Sequence, residues 1–81
     1  MVTCMPATES PVPVFVKQLR QAGRSLRFTI LSSASGWEVR EEADGGVLRQ
    51  VQLSDWHRVE RARQIFTSKA LLLEADGWVE A

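Results

Sequence analysis

The single histidine, His57, directly follows Trp56 and stands three residues before Glu60. A histidine one helical turn from a carboxylate has the residue types of a general base and its orienting group. Base catalysis also needs a positioned nucleophile or acid within hydrogen-bond reach, and the sequence offers none. The reading left for His57 is a solvated position on a helix face. One histidine among scattered carboxylates is no recognisable ligand spacing for a metal. Glu41, Glu42 and Asp44 form an acidic cluster without the spacing of an EF-hand loop. Ser32, Ser33 and Ser35 share a short stretch with no partner base. Cys4 is the only cysteine, which rules out an intramolecular disulfide and a cysteine zinc site and leaves a regulatory thiol as its one chemical role. These residues predict a protein that is not an enzyme and has no cofactor or metal.

The arginines have two readings. Arg58 and Arg61 are three apart and share a flank of any helix they sit on, whereas Arg63 points elsewhere and Glu60 interrupts the run. A nucleic-acid-binding helix presents a denser cationic stripe, so a solvated face with local ion pairs is the simpler reading. From Lys17 to Arg27 there are four cations and no acid, while Glu38 to Glu60 holds six acids and three arginines. That asymmetry fits a basic binding edge, or ion pairing between neighbouring strands.

The elements that position these groups are organised around residues 37–66. Asp44-Gly45-Gly46 is a turn signal between two strand-like runs. A three-residue loop places Trp37 opposite Leu53, Val39 opposite Val51, Glu41 opposite Arg49 and Ala43 opposite Val47. The other face then receives Glu38 with Gln52, Arg40 with Gln50 and Glu42 with Leu48. A two-residue Asp-Gly loop would scramble those faces, because one step of register turns every side chain over. Ser54 is an N-cap candidate, with Asp55 in the first turn of the helix that follows. Val59, Ala62, Phe66, Ala70 and Leu73 recur at helical spacing, and Gly77 suits the left-handed position after the helix, with Trp78 closing against Leu73.

Upstream, residues 25–32 alternate as a half-buried strand, with Leu26, Phe28 and Ile30 on one side and Arg27 and Thr29 on the other. Residues 12–22 read two ways. Val12, Val14 and Val16 alternate and favour a strand, with Pro13 marking an edge. Phe15, Leu19 and Ala22 could share a helix face closed by Gly23. The β-branched density favours the strand. Residues 1–11 have no periodicity and read as a flexible tail, which makes 12–81 one small domain. The expected fold is α+β: an antiparallel meander of three or four strands with one C-terminal amphipathic helix packed across one face. The expected buried set is Leu26, Phe28, Ile30, Trp37, Val39, Val51, Leu53, Val59, Ala62, Phe66 and Leu73.

Composition bounds the function. Eighty-one residues with zero formal net charge, 44% hydrophobic and 25% charged, describe an ordinary globular chain. Neutrality argues against indiscriminate DNA binding, which needs an excess of phosphate-neutralising cations. No apolar run approaches the length of a membrane span, and the N-terminus lacks the layout of a secretory signal, so a cytoplasmic protein without a membrane partner is expected. A chain of this size buries only about 60% of its unfolded surface, so it is marginal unless tightly packed or oligomeric.

The order strand, hairpin, helix, with a GWEV-type second strand and a tryptophan opening the helix, resembles the repeat unit of PUR-family and Whirly-type proteins over about residues 12–72. That resemblance implies single-stranded DNA or RNA binding and pairing into dimers. Were 12–22 helical, the layout would resemble a double-stranded-RNA-binding domain, without that family's lysine cluster at the last helix. The segments GWEVREE and DWHRVERA are also similar to short bacterial proteins, a likeness that implies no activity.

Two surfaces follow as candidates. Lys17, Arg20, Arg27, Arg40, Gln50 and Gln52 would line an open sheet face and its basic edge, for a nucleic acid or another partner. Cations over a sheet suit single strands, although stacking aromatic side chains are missing from that face. Leu31, Leu48, Trp56, Leu71 and Leu72 would be left exposed and mark a homodimer interface, since one helix face cannot bury Leu71, Leu72 and Leu73 together.

Overall fold

A computed structural model describes residues 12–81. Four strands run as a meander: β1 (Val12–Gln21), β2 (Arg24–Ser33), β3 (Gly36–Ala43) and β4 (Gly46–Leu53). Helix α1 (Trp56–Ala75) crosses one face, and a two-residue strand, β5 (Val79–Glu80), returns to the sheet. The sheet order is β4-β3-β2-β1-β5, and every pairing is antiparallel. The fold is therefore α+β, as the alternation and helical spacing predict, and 12–22 is the strand reading of its two alternatives. The flexible-tail expectation for 1–11, and Cys4 with it, lies outside the described residues.

Local chemistry explains the turns. Two of the hairpin loops are two residues long with both residues at positive φ: Ala22 (50°) and Gly23 (80°), then Asp44 (52°) and Gly45 (85°). That is the type I′ geometry, whose twist matches the strands it joins. The three-residue loop expected at 44–46 is thus corrected to two residues. The predicted pairs from Trp37↔Leu53 through Glu41↔Arg49 are nonetheless present. A β-bulge reconciles the two: the register shifts after Glu41, so that Glu42 meets Val47 and Leu48 is the extra residue. The tip is also tied to the next strand, with Ser25 N–H donating to Asp44 Oδ1 at 2.9 Å and Asp44 N–H to the Ser25 carbonyl at 2.9 Å.

A second bulge interrupts β1. Pro13 pairs with Leu31 but Phe15 pairs with Ile30, so Val14 is the extra residue. The shift puts Phe15, Lys17 and Leu19 under the helix. Val12, Val14 and Val16, which alternate in sequence, share no buried face and are all exposed.

The helix begins one residue later than expected. Asp55, not Ser54, is the N-cap, its backbone extended and its Oδ1 accepting from His57 N–H at 3.0 Å. The far end is a Schellman cap: Trp78 N–H donates to the Leu73 carbonyl (3.0 Å) and Gly77 N–H to that of Glu74 (3.1 Å), with Gly77 at φ 105°. The Gln21 side chain also donates to the Asp76 carbonyl.

The core is Leu19, Phe28, Ile30, Val59, Phe66, Ala70 and Trp78. Phe66 lies between Phe28 (ring centroids 4.9 Å) and Phe15 (6.2 Å). Leu26, Trp37, Val39, Leu53, Ala62 and Leu73, expected inside, are half-buried around it. The expected buried set is therefore shifted toward β1 and β2. Leu19 and Trp78 enter it, and the β3–β4 side is left partly open.

Candidate functional site

The helix leaves a groove between its flank and strands β3 and β4, about 340 Å³ in volume. The floor is apolar: Val39, Val51, Leu53, Ala62, Ile65 and Phe66. Parity on β3 and β4 brings Val39, Val51 and Leu53 to this side. Helical spacing brings Ala62, Ile65 and Phe66 from above.

The rim is cationic. Arg49 comes from β4 and Arg58, Arg61 and Lys69 from α1, against a single acid, Glu41. Lys69 Nζ donates to Glu41 Oε2 at 3.4 Å. None of Arg49, Arg58 and Arg61 takes part in an ion pair among the described residues. The other arginine of that run, Arg63, turns away and pairs with Glu60 at 3.7 Å. In a chain with zero formal charge, this groove concentrates positive charge over an apolar floor. Sequence reading paired Arg58 with Arg61 but did not connect them to Arg49 and Lys69. The signal is a second stripe beside the core stripe, Arg58–Arg61–Ile65–Lys69–Leu72, at steps of three and four.

The open sheet face is assembled as the register predicts. Thr29 pairs with Arg40, which pairs with Gln50; Leu31 pairs with Glu38, which pairs with Gln52. Arg27 is exposed there beside Gln18 and Glu42, with Arg20 near it. Arg40 is held by Glu38, whose Oε2 accepts from Nη2 at 2.6 Å and from Nε at 3.0 Å, and lies 4.0 Å from Glu42. Gln52 donates to the other oxygen of Glu38. Thr29 is buried although no helix covers it, at the centre of the sheet between Val16 and Arg40. The aromatic rings near the helix lie on the other side: Trp37 meets Trp56 at 5.5 Å.

Lys17 does not join this face. The β1 bulge turns it under the helix, where Nζ sits 3.0 Å from Glu80 and 3.4 Å from Glu74. Its hydrogen bond to Glu80 is the largest influence on its ammonium, ahead of the opposing effect of burial and the further support of Glu74. The net result is a pKa above the ordinary 10.5.

The five residues expected at a homodimer interface are dispersed. Leu48 is exposed at the β4 bulge, Leu31 is half-buried on the open face, and Trp56 stands half-exposed at the helix start. Leu71 lines a shallow cleft beside Phe15 on the β1 side of α1, whereas Leu72 lies a 100° step round the helix.

Among the described residues, no group of three histidine, cysteine or acidic side chains is placed to hold a metal, and no helix is long and apolar enough to cross a membrane. No family model, curated protein or solved structure matches the chain.

Proposed function

We propose that the protein is a small non-enzymatic interaction module that associates with itself through the free edge of β4. The observation that carries this reading is an eight-residue outermost strand that has no neighbour beyond it among the described residues. Val47 and Leu48 stand exposed on it. A bare edge of this kind is a template for another strand; β4 carries no lysine or proline, and its guards are the bulge at Leu48 and the charge of Arg49.

The sequence of β4 suits its own copy. Antiparallel pairing about Gln50 sets Arg49 opposite Val51, so like charges do not face each other directly, and the bulge at Leu48 marks where regular pairing ends. The test is mass against concentration by light scattering. Gln50→Lys places two ammonium groups face to face at the two-fold, and adding Leu48→Lys charges the edge further. Weakened association in these variants, with an unchanged melting temperature for the monomer, is the expected result. A mass that stays monomeric across the whole concentration range rejects the reading.

A second reading, binding of single-stranded DNA or RNA through the open face, is favoured by Arg20 and Arg27, which are exposed there and in no ion pair among the described residues. The pairing of Arg40 with Glu38 and Glu42 and the placement of Trp37 on the opposite side weigh against it. A salt titration with a labelled single strand and a duplex control discriminates. Binding that falls steeply with salt and is lost on Arg20→Glu with Arg27→Glu would support this reading.

A further inference from the structure

We propose that the groove between α1 and the β3–β4 hairpin binds an anionic amphiphile, a molecule with an apolar chain and a carboxylate or phosphate head. This goes beyond self-association and does not depend on it. The volume, about 340 Å³, is that of a small-molecule site. Its floor is hydrocarbon and aromatic, and burial of a ligand chain there is favourable at roughly 25 cal/mol per Å² of apolar surface.

The charge selects the head group. Arg58 and Arg61 stand a turn apart at one end of the groove, exposed and without an acidic partner among the described residues. Two guanidinium forks so placed suit the oxygens of a carboxylate or phosphate. The single acid, Glu41, is occupied by Lys69, eight residues further along the helix than Arg61, or about 12 Å. The head therefore belongs at Arg58 and Arg61, and the chain extends along Val51, Ile65 and Phe66. A neutral lipid or hydrocarbon would leave the arginines unused. A small polar anion would leave the floor unused. Only a molecule with both parts uses the whole groove.

The test titrates the full chain with decanoate, decyl phosphate, decanol and inorganic phosphate, each below any micelle-forming concentration, by calorimetry and by amide chemical shifts. Saturable binding of decanoate or decyl phosphate is expected, with shifts at Val39, Val51, Ile65 and Phe66. Decanol and inorganic phosphate should each bind more weakly by about tenfold, the equivalent of one charge-assisted hydrogen bond. Of the two anions, the tighter one assigns the source, a free acyl carboxylate or a phosphorylated amphiphile. Arg58→Glu with Arg61→Glu should weaken the preferred anion by about tenfold or more. Should that pair fail to fold, Arg58→Gln with Arg61→Gln replaces it with the same expected direction. Repeating the titration on Gln50→Lys separates this site from self-association, since binding should survive there. Absence of saturable binding, unchanged affinity in folded arginine variants, or shifts confined to the open sheet face would overturn the proposal.

Discussion

Lys17 shows how one added residue upstream redirects a side chain. With the bulge at Val14 it faces Glu74 and Glu80 instead of joining the cations of the open face. Its ammonium is favoured in the folded state, so its contribution to stability is fully present below the unfolded pKa, about 10.5, and is lost as pH rises through the higher folded value. Melting temperatures of the native chain and of Glu80→Gln should therefore differ at neutral pH and converge in strong alkali. A difference that persisted above that range would show that Glu80 acts by another route. Ala22 is the second residue of this kind. It holds φ at 50°, a conformation that is strained for an alanine and tolerated by asparagine. Ala22→Asn should add about 0.5–1 kcal/mol and raise the melting temperature by about 2–8 °C in a thermal scan.

At the scale of elements, Gly36 links two strands that the sequence pairs correctly. Its φ is 129°, and a Cβ there would lie 2.5 Å from the Leu53 carbonyl oxygen. Gly36→Ala should cost about 1–3 kcal/mol from backbone strain alone, with the clash adding to it, measured by urea unfolding. The strands, the helix and most of the β3–β4 register were legible in the sequence, because alternation and helical spacing carry through residues 24–73. The bulges at Val14 and Leu48 were not. A bulge restores or shifts parity without any residue type that announces it, so the alternation of Val12, Val14 and Val16 marks the strand but does not show that Phe15 and Leu19 face the core. β5 was hidden for a different reason. Two residues are too few to show a period, and Val79 and Glu80 pair with Leu19 and Arg20, some sixty positions away. The Schellman cap was readable because Leu73, Gly77 and Trp78 stand at its fixed spacing.

For the whole molecule, the groove was half legible. Arg58 and Arg61 belong to one helix and could be grouped from spacing, but Arg49 reaches them only through the path of α1 over the sheet. The helix crosses all four strands of the meander, but the fully buried strand side chains, Leu19, Phe28 and Ile30, come from β1 and β2, and the β4 side stays open. Self-association through β4 would bring two sets of groove arginines toward the same two-fold. Salt screens that repulsion, so association should tighten as ionic strength rises, as followed by sedimentation. Nucleic-acid binding would show the opposite dependence.

The return of the chain to β1 also bears on the order of folding. β1 through β4 are joined by two-residue loops, so each pairing closes quickly and at little entropic cost. Trp78 and β5 can dock only after the meander and the helix are in place, since their partners are Leu73, Leu19 and Arg20. The last segment is thus expected to act as a latch that forms after the rate-limiting step. Trp78→Phe should speed unfolding in stopped-flow measurements while leaving the folding rate nearly unchanged, which makes the lifetime of the native sheet, more than its formation, the property set by that tryptophan.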